Sequence, residues 1–405
     1  MKAFLYLALI ASAWAMSVHE VIAIALENNP TIEQQEQLLE STRYHTKSMT
    51  GAFYPTLELG YRVYRLQKGA ANRNNTNGNE ANLALRYNLF RGFADYHNRK
   101  NAQSIENAQQ YRLQASKQEL ILAIKTLYIA LLQQKEQLLV FEDSIKLLEQ
   151  QLKETSEFFR VGLVAKNNVL QVEVSLASAK QNYLAAKSEL AYLQKDLEHY
   201  AGRALLVEEL QEVQFQIPEM NLQELESMML ANRSELKALE HEHNAQYHTL
   251  QSANGAYLPS VELVGEKTFA TTADRDDQVV GRIELSLNLF EGFSSYYAAQ
   301  RERANMLALG AQIAELRQQL QLQLFQAHES YTLALSAYKV AQEALIQAEE
   351  NYRIVSNRYK ERVETTSHLI DAELLLTQAR TNVLVNRYGI AQAIAQIVRI
   401  VEVEE

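Results

Sequence analysis

The sequence predicts a mainly α-helical chain, with long coiled-coil helices and four β-strands per copy suited to a membrane β-barrel. Three observations predict it. The chain is written twice, its helical runs are very long, and four short segments alternate with period two. Composition agrees: 405 residues hold 13 Gly, 4 Pro and no Cys, the bias of long helices.

The duplication comes first because it organises the rest. "GAFYPTLEL" (Gly51 to Leu59) returns as "GAYLPSVEL" (Gly255 to Leu263), and "LALRYNLFRGF" (Leu83 to Phe93) returns as "IELSLNLFEGF" (Ile283 to Phe293). "ALENNPTI" (Ala25 to Ile32) is echoed by "MLANRSEL" (Met229 to Leu236), and Pro218 breaks the pattern where the halves meet. The expected organisation is a first repeat over 16–217, with a strand hairpin at 52–91 and a long helical hairpin at 93–201. A second repeat over 218–405 has its strand hairpin at 256–292 and its helical hairpin at 294–399. Residues 1–15, "MKAFLYLALIASAWA", have a Lys, an apolar run and a small-x-small ending at Ala13-Trp14-Ala15. They read as a secretory signal peptide. A membrane anchor is the other reading, although the apolar run is short for a bilayer.

The long helices show themselves by spacing. No Gly or Pro interrupts Phe93 to Val161, a run that would reach roughly 100 Å as a helix. Leu120, Ile124, Leu127, Leu131, Leu138, Phe141, Ile145, Leu148 and Leu152 step by four and three, with Gln134 at one seam position. Leu320, Leu324, Ala327, Tyr331, Ala334, Tyr338, Ala341 and Leu345 keep the same phase. Such steps mark knobs-into-holes packing. Leu122, Ile129, Leu132 and Leu139 add a second seam, as in a helix with neighbours on both sides.

The strands alternate. Leu57, Leu59, Tyr61 and Val63 oppose Glu58, Gly60 and Arg62, and Leu83, Leu85, Tyr87 and Leu89 oppose Ala84, Arg86 and Asn88. Ile283, Leu285, Leu287 and Leu289 oppose Glu284, Ser286 and Asn288, while Val261 to Phe269 alternates less cleanly. A lipid-facing barrel with a wet lumen needs this pattern. Four strands cannot close one, and open edges are not tolerated in lipid, so several copies must pool their strands. Glu58, Arg62, Arg86, Asn88, Glu262, Glu266, Glu284 and Asn288 would face the lumen. Phe53, Tyr54, Phe90, Phe93, Tyr257, Phe290, Phe293 and Tyr296 would form an interfacial girdle. The alternative is a water-soluble sheet packed on the base of the helices.

Several function classes find no support. A net charge of −10 argues against nucleic acid. No nucleophile elbow, P-loop or Cys–His pair is present, so neither enzyme activity nor a cofactor is expected. "HEHNAQYH" is metal-like, but His241 and His248 stand seven residues apart, too far for one ion without outside ligands; no metal site is expected from it.

In combination, Asn29-Pro30, "YNLFRGF", "LNLFEGF" and "FRVGLVAKNNVLQVE" resemble the TolC-like outer-membrane efflux channels. The resemblance implies a homotrimer with a twelve-stranded barrel in the outer membrane and an α-helical tunnel reaching into the periplasm. It also implies partners: a periplasmic adaptor, and beyond it an inner-membrane pump of the RND or ABC type. The chain itself would be a passive exit duct for small molecules or proteins, in efflux or type I secretion. The rival reading is a secreted coiled-coil structural or adaptor protein without a pore.

The resemblance also assigns sites. Arg160, Val161, Gly162, Leu163, Val164 and Ala165 match the adaptor-docking tip, and Arg358 and Tyr359 match the second tip, whose Gly is replaced by Arg362. Gly162 suits a left-handed helix stop. Asn167 or Asn168 is expected to cap the returning helix, and Thr365, Thr366 and Ser367 supply caps at the second tip. The bland reading of Val161, Leu163 and Val164 is that they close the hairpin on itself. Asp371 and His368 match acidic positions at the tunnel mouth, and the His would make the entrance pH-sensitive; as an ordinary exposed residue it would not. Glu364 stands where the family has a closing Arg, so closing contacts must differ.

Overall fold

The computed structural model describes residues 17–66, 76–204, 221–270 and 277–403. The expected signal peptide, most of both hairpin loops and the Pro218 junction lie outside the described residues.

One order of elements occurs twice. The first set is α1 (Val18–Asn28), α2 (Pro30–Thr50), a 3₁₀ turn (Gly51–Phe53), β1 (Thr56–Leu66), β2 (Thr76–Arg91), α3 (Ala94–Arg160) and α4 (Lys166–Ala201). The second is α5 (Leu222–Asn232), α6 (Ser234–Asn254), a 3₁₀ turn (Gly255–Tyr257), β3 (Ser260–Ala270), β4 (Gln278–Ser286), α7 (Ser294–Lys360) and α8 (Thr366–Val401). Helix lengths repeat to the residue: α3 and α7 each have 67, and α4 and α8 each have 36. By contacts, however, the chain divides across these repeats. One unit takes Met1–Glu33, Ala115–Arg233 and Gln319–Glu405; the other takes Gln34–Gln114 and Ser234–Gln318.

The first unit is helical. Ile124, Tyr128 and Leu131 of α3 are buried, as are Leu320 and Leu324 of α7 and Tyr388 and Ile397 of α8, so the four-and-three steps are the packed face. Gln134, the polar interruption in that seam, donates to the Ala186 carbonyl of α4 at 3.0 Å. Polar pairs also tie α3 to α8. Gln137 donates to Thr381 at 2.9 Å, and Glu136 accepts from the Tyr388 hydroxyl at 2.5 Å. The buried Glu373 carboxylate accepts from Ser144 and from Thr377. A sliding helix would leave these buried groups unpaired, so they fix register. A second apolar stripe is exposed: Leu322, Leu333, Val340 and Ile346 on α7, and Leu374 and Leu375 on α8. Among the described residues no helix is long and apolar enough to cross a membrane.

The second unit holds one open antiparallel sheet in the order β1-β2-β3-β4, with α2 and α6 leading into its two hairpins. In register, Leu57 pairs with Leu85, Leu59 with Leu83, Tyr87 with Leu263, and Leu263 with Ile283. The apolar rows therefore fall on one face of all four strands, including the less regular β3. A bulge at Leu89, between Asn88 and Phe90, shifts the phase at the end of β2. β4 stops at Ser286, so Leu287 and Leu289, expected to continue the alternation, lie beyond the strand.

Candidate functional sites at the helical tips and the sheet

At the first tip, α3 ends because Gly162 takes φ +77°, a conformation that costs glycine least. The Leu163 N–H donates to the Phe158 carbonyl at 2.8 Å and the Gly162 N–H to the Phe159 carbonyl at 2.9 Å, which is a Schellman stop. The second tip repeats it with a non-glycine residue. Arg362 sits at φ +66°, its N–H donates to the Tyr359 carbonyl, and the Val363 N–H donates to the Arg358 carbonyl, both at 2.9 Å. The Arg362 guanidinium lies 5.4 Å from the centre of the Phe158 ring, a cation–π contact that offsets part of the left-handed cost.

The returning helices start differently. Thr365 caps α8, its side chain accepting from the His368 N–H at 3.3 Å. On α4 the cap position is Ala165, without a side-chain bond. The expected cap by Asn167 or Asn168 is therefore corrected: both residues lie inside the helix, past the position from which a side chain can reach the free N–H groups.

Val161 is 59 % exposed and Leu163 46 %, joined by Val363 at 63 %; Val164 is half-buried and Ala165 exposed. Arg160 is exposed and paired with Glu157 one turn back at 2.6 Å. Tyr359 corrects its sequence assignment. It is 3 % exposed, and its hydroxyl is 2.7 Å from the Thr155 hydroxyl, so it braces the tip from within. Between the tips lies a groove of about 420 Å³, lined by Phe158, Leu163, Val164, Arg362 and Thr365 among others. Sequence reading missed Phe158 and Val363, although Val363 stands 200 residues after Leu163 and the repeat offset could have found it.

His368 and Asp371 are both exposed, three residues apart on α8. The His368 Nδ1 meets the Glu364 carboxylate, and Arg358 Nε stands 3.5 Å from the same group. The bond to His368, ahead of the Thr365 N–H and the charges of His368 and Arg358, holds the Glu364 carboxyl below its ordinary range.

On the sheet, the apolar face is bare: Leu57, Leu59, Tyr61, Val63, Val279, Ile283 and Leu285 are each at least two-thirds exposed. Ala84 and Val264, on the other face, are buried. There Arg86 stands 3.6 Å from Glu58 and 3.9 Å from Glu262, and Arg282 stands 3.3 Å from Glu266 and also pairs with Glu284. Arg62 lies on the same face, in register with Glu80. Two expected members of that face are engaged elsewhere: Asn88 donates to Asp95, and Asn288, beyond the end of β4, donates to Glu291. The aromatic residues gather where the strands meet the helices. Phe93 and Phe293, at φ +62° and +66°, turn edge-on to Phe90 and Phe290 at 5.0 and 5.5 Å.

The His-rich stretch of α6 separates into different surroundings. His241 stacks on Tyr111, with centroids 5.4 Å apart. His248 Nδ1 lies 3.1 Å from Nδ1 of His97 on α3. Burial lowers the pKa of both His97 and His248, and His97 and Lys100 lower that of His248 further. Among the described residues no three His, Asp or Glu side chains cluster as metal ligands.

A sheet with an exposed apolar face, a charged opposite face and two free edges, joined to long helical hairpins, defines the subunit of an outer-membrane channel. The comparisons agree. The outer membrane efflux protein family matches residues 21–203. The chain is 23% identical to the outer membrane protein TolC of Escherichia coli (strain K12) over 414 residues, 95% of this chain and 83% of that one. Its fold is similar to VceC of Vibrio cholerae, at TM-score 0.84 and 14% identity over 95% of each chain. It is also similar to the CmeC channel of Campylobacter jejuni, at TM-score 0.82 and 18% identity over 95% of this chain and 85% of that one. The family match thus falls within the first repeat, and the whole described fold is that of these solved outer-membrane channels.

Proposed function

We propose that this chain is the outer-membrane exit duct of a tripartite export assembly, either an efflux pump or a type I secretion system, and that it works as a homotrimer. One observation carries the reading: the sheet exposes its apolar face and leaves both edges, β1 and β4, open. In water that face is unfavourable by about 25 cal/mol for each Å², and in lipid the open edges are intolerable. Strands pooled from three copies relieve both. The exposed stripe on α7 and α8 gives the same copies a helical seam. A pore-less coiled-coil protein leaves the bare sheet face without a role.

The polar face, with Glu58, Arg62, Arg86, Glu262, Glu266 and Glu284, then lines the lumen. Arg160, Val161, Gly162, Leu163, Val164 and Ala165, with Arg358 at the second tip, form the docking surface for the periplasmic adaptor. Tyr359 keeps that surface in shape from within. His368 and Asp371 sit at the tunnel mouth. Energy comes from the inner-membrane pump, since the chain carries no nucleotide-binding motif.

The test combines two measurements. Detergent-purified protein is expected to migrate as a trimer and to give single-channel conductance in planar bilayers. A Leu163→Cys variant is expected to crosslink a periplasmic adaptor in cells. Protein that stays soluble without detergent and never inserts overturns the channel; conductance without adaptor capture overturns the tip assignment alone.

A further inference from the structure

The His-rich stretch that looked metal-like lacks a second ligand within itself, and the fold supplies one from elsewhere. We propose that His97 and His248 form a two-imidazole site for a divalent transition-metal ion such as Cu²⁺, Zn²⁺ or Ni²⁺. Their Nδ1 atoms lie 3.1 Å apart, and the rings are tilted by 34°. Metal–nitrogen bonds of about 2.0–2.1 Å put two nitrogens of a tetrahedral site roughly 3.3 Å apart, so the spacing is already close to a metal's bite. Imidazole is the ligand these ions share.

The pair is held in place from both sides. Asn101, one turn after His97, donates to the Ala245 carbonyl at 2.8 Å and to the Thr249 hydroxyl at 2.9 Å. Ser252, one turn after His248, donates to Asn98 at 2.8 Å. These bonds lock α3 against α6 around the two rings, so a metal meets ligands already in position. Tyr96 and Tyr247 pack edge-on against the rings, at 5.2 and 5.4 Å.

Without metal, one Nδ1–H donates to the other Nδ1. Coordination needs both Nδ1 lone pairs, so the donor ring moves its hydrogen to Nε2 and no proton is lost. Two imidazoles fill half of a tetrahedral shell, and the other positions remain for water. Lys100 is the nearby cation that works against binding.

The experiment uses the full-length, untagged protein in detergent, stripped with chelator and titrated with Cu²⁺. The wild type is expected to bind one tight ion per chain, whose pulsed electron paramagnetic resonance spectrum shows two imidazole nitrogens. His97→Gln and His248→Gln should each lose that ion, with trimer migration and helical circular dichroism unchanged. The double variant His241→Gln/His243→Gln should keep it. A wild-type spectrum without two imidazoles overturns the proposal and needs no variant; so does retention of the ion by His97→Gln, which leaves the pair as a plain hydrogen bond.

Discussion

Gly92 and Gly255 lie back to back where the strands leave the helices. A Cβ on Gly92 would stand 2.2 Å from the Gly255 carbonyl oxygen, and one on Gly255 would stand 2.4 Å from the Gly92 oxygen. Backbone cannot give way as a flexible side chain can. Their counterparts in the other repeat, Gly292 and Gly51, have nothing within 4 Å. The duplicated glycines thus do different work.

Gly255→Ala should accordingly destabilise the second unit by about 1–3 kcal/mol or more, since the new methyl meets main chain. Gly51→Ala should be close to neutral. Gly92→Ala adds the strain of φ +55° to the collision, whereas Gly292→Ala carries only the backbone cost. The loss of heat-resistant trimers for each variant checks the ranking, and equal behaviour of Gly51→Ala and Gly255→Ala would refute it.

At the tips, Gly162→Ala should cost about 1–2 kcal/mol from the left-handed backbone alone, as its Cβ meets nothing within 4 Å. Tyr359→Phe leaves the fully buried Thr155 hydroxyl without its partner and should cost about 1–2 kcal/mol. Leu163→Asp, at an exposed position, should change stability by less than about 0.5 kcal/mol and still abolish export. Denaturant midpoints, set beside export in cells, separate the two effects.

Much of this was legible in the sequence, for a local reason. Period-two alternation and the four-and-three steps are set by strand and helix geometry, so Leu57 to Val63 and Leu120 to Leu152 announced their faces. Gly162 was legible because a left-handed stop favours one residue type. What was hidden depends on residues distant in sequence. His97 and His248 are separated by 151 positions, and nothing near either names the other. The burial of Tyr359 follows from Thr155 across 204 positions. The misplaced cap on α4 has another origin: Asn is favoured at caps by propensity, but the chain set the cap position at Ala165, two residues before Asn167.

Glu364 gives the tip a pH dependence. Its folded carboxyl pKa is lowered, first by the bond to His368. A depressed carboxylate contributes stability that is present above its unfolded pKa and is lost as pH falls through its folded value. Hydrogen-exchange protection of the first turn of α8 should therefore hold at neutral pH and decline below the usual carboxylate range. Glu364→Gln should remove that decline; a variant that keeps it would place the titrating group elsewhere.

The sheet's polar face predicts the sign of the current. Glu58, Glu262, Glu266 and Glu284 surround Arg86 and Arg282, so the acidic groups outnumber the basic ones, and three copies would multiply the excess. Low-dielectric walls focus such a field and enrich the counter-ion. The open channel should prefer cations, and Arg86→Glu should strengthen the preference by removing the positive centre between Glu58 and Glu262. Raising salt should weaken it, since screening shortens to about 3 Å at 1 M. Reversal potentials across a KCl gradient measure this directly. An unchanged reversal potential in Arg86→Glu would mean that this face does not line the conducting path, and the lipid-facing assignment of the opposite face would fall with it.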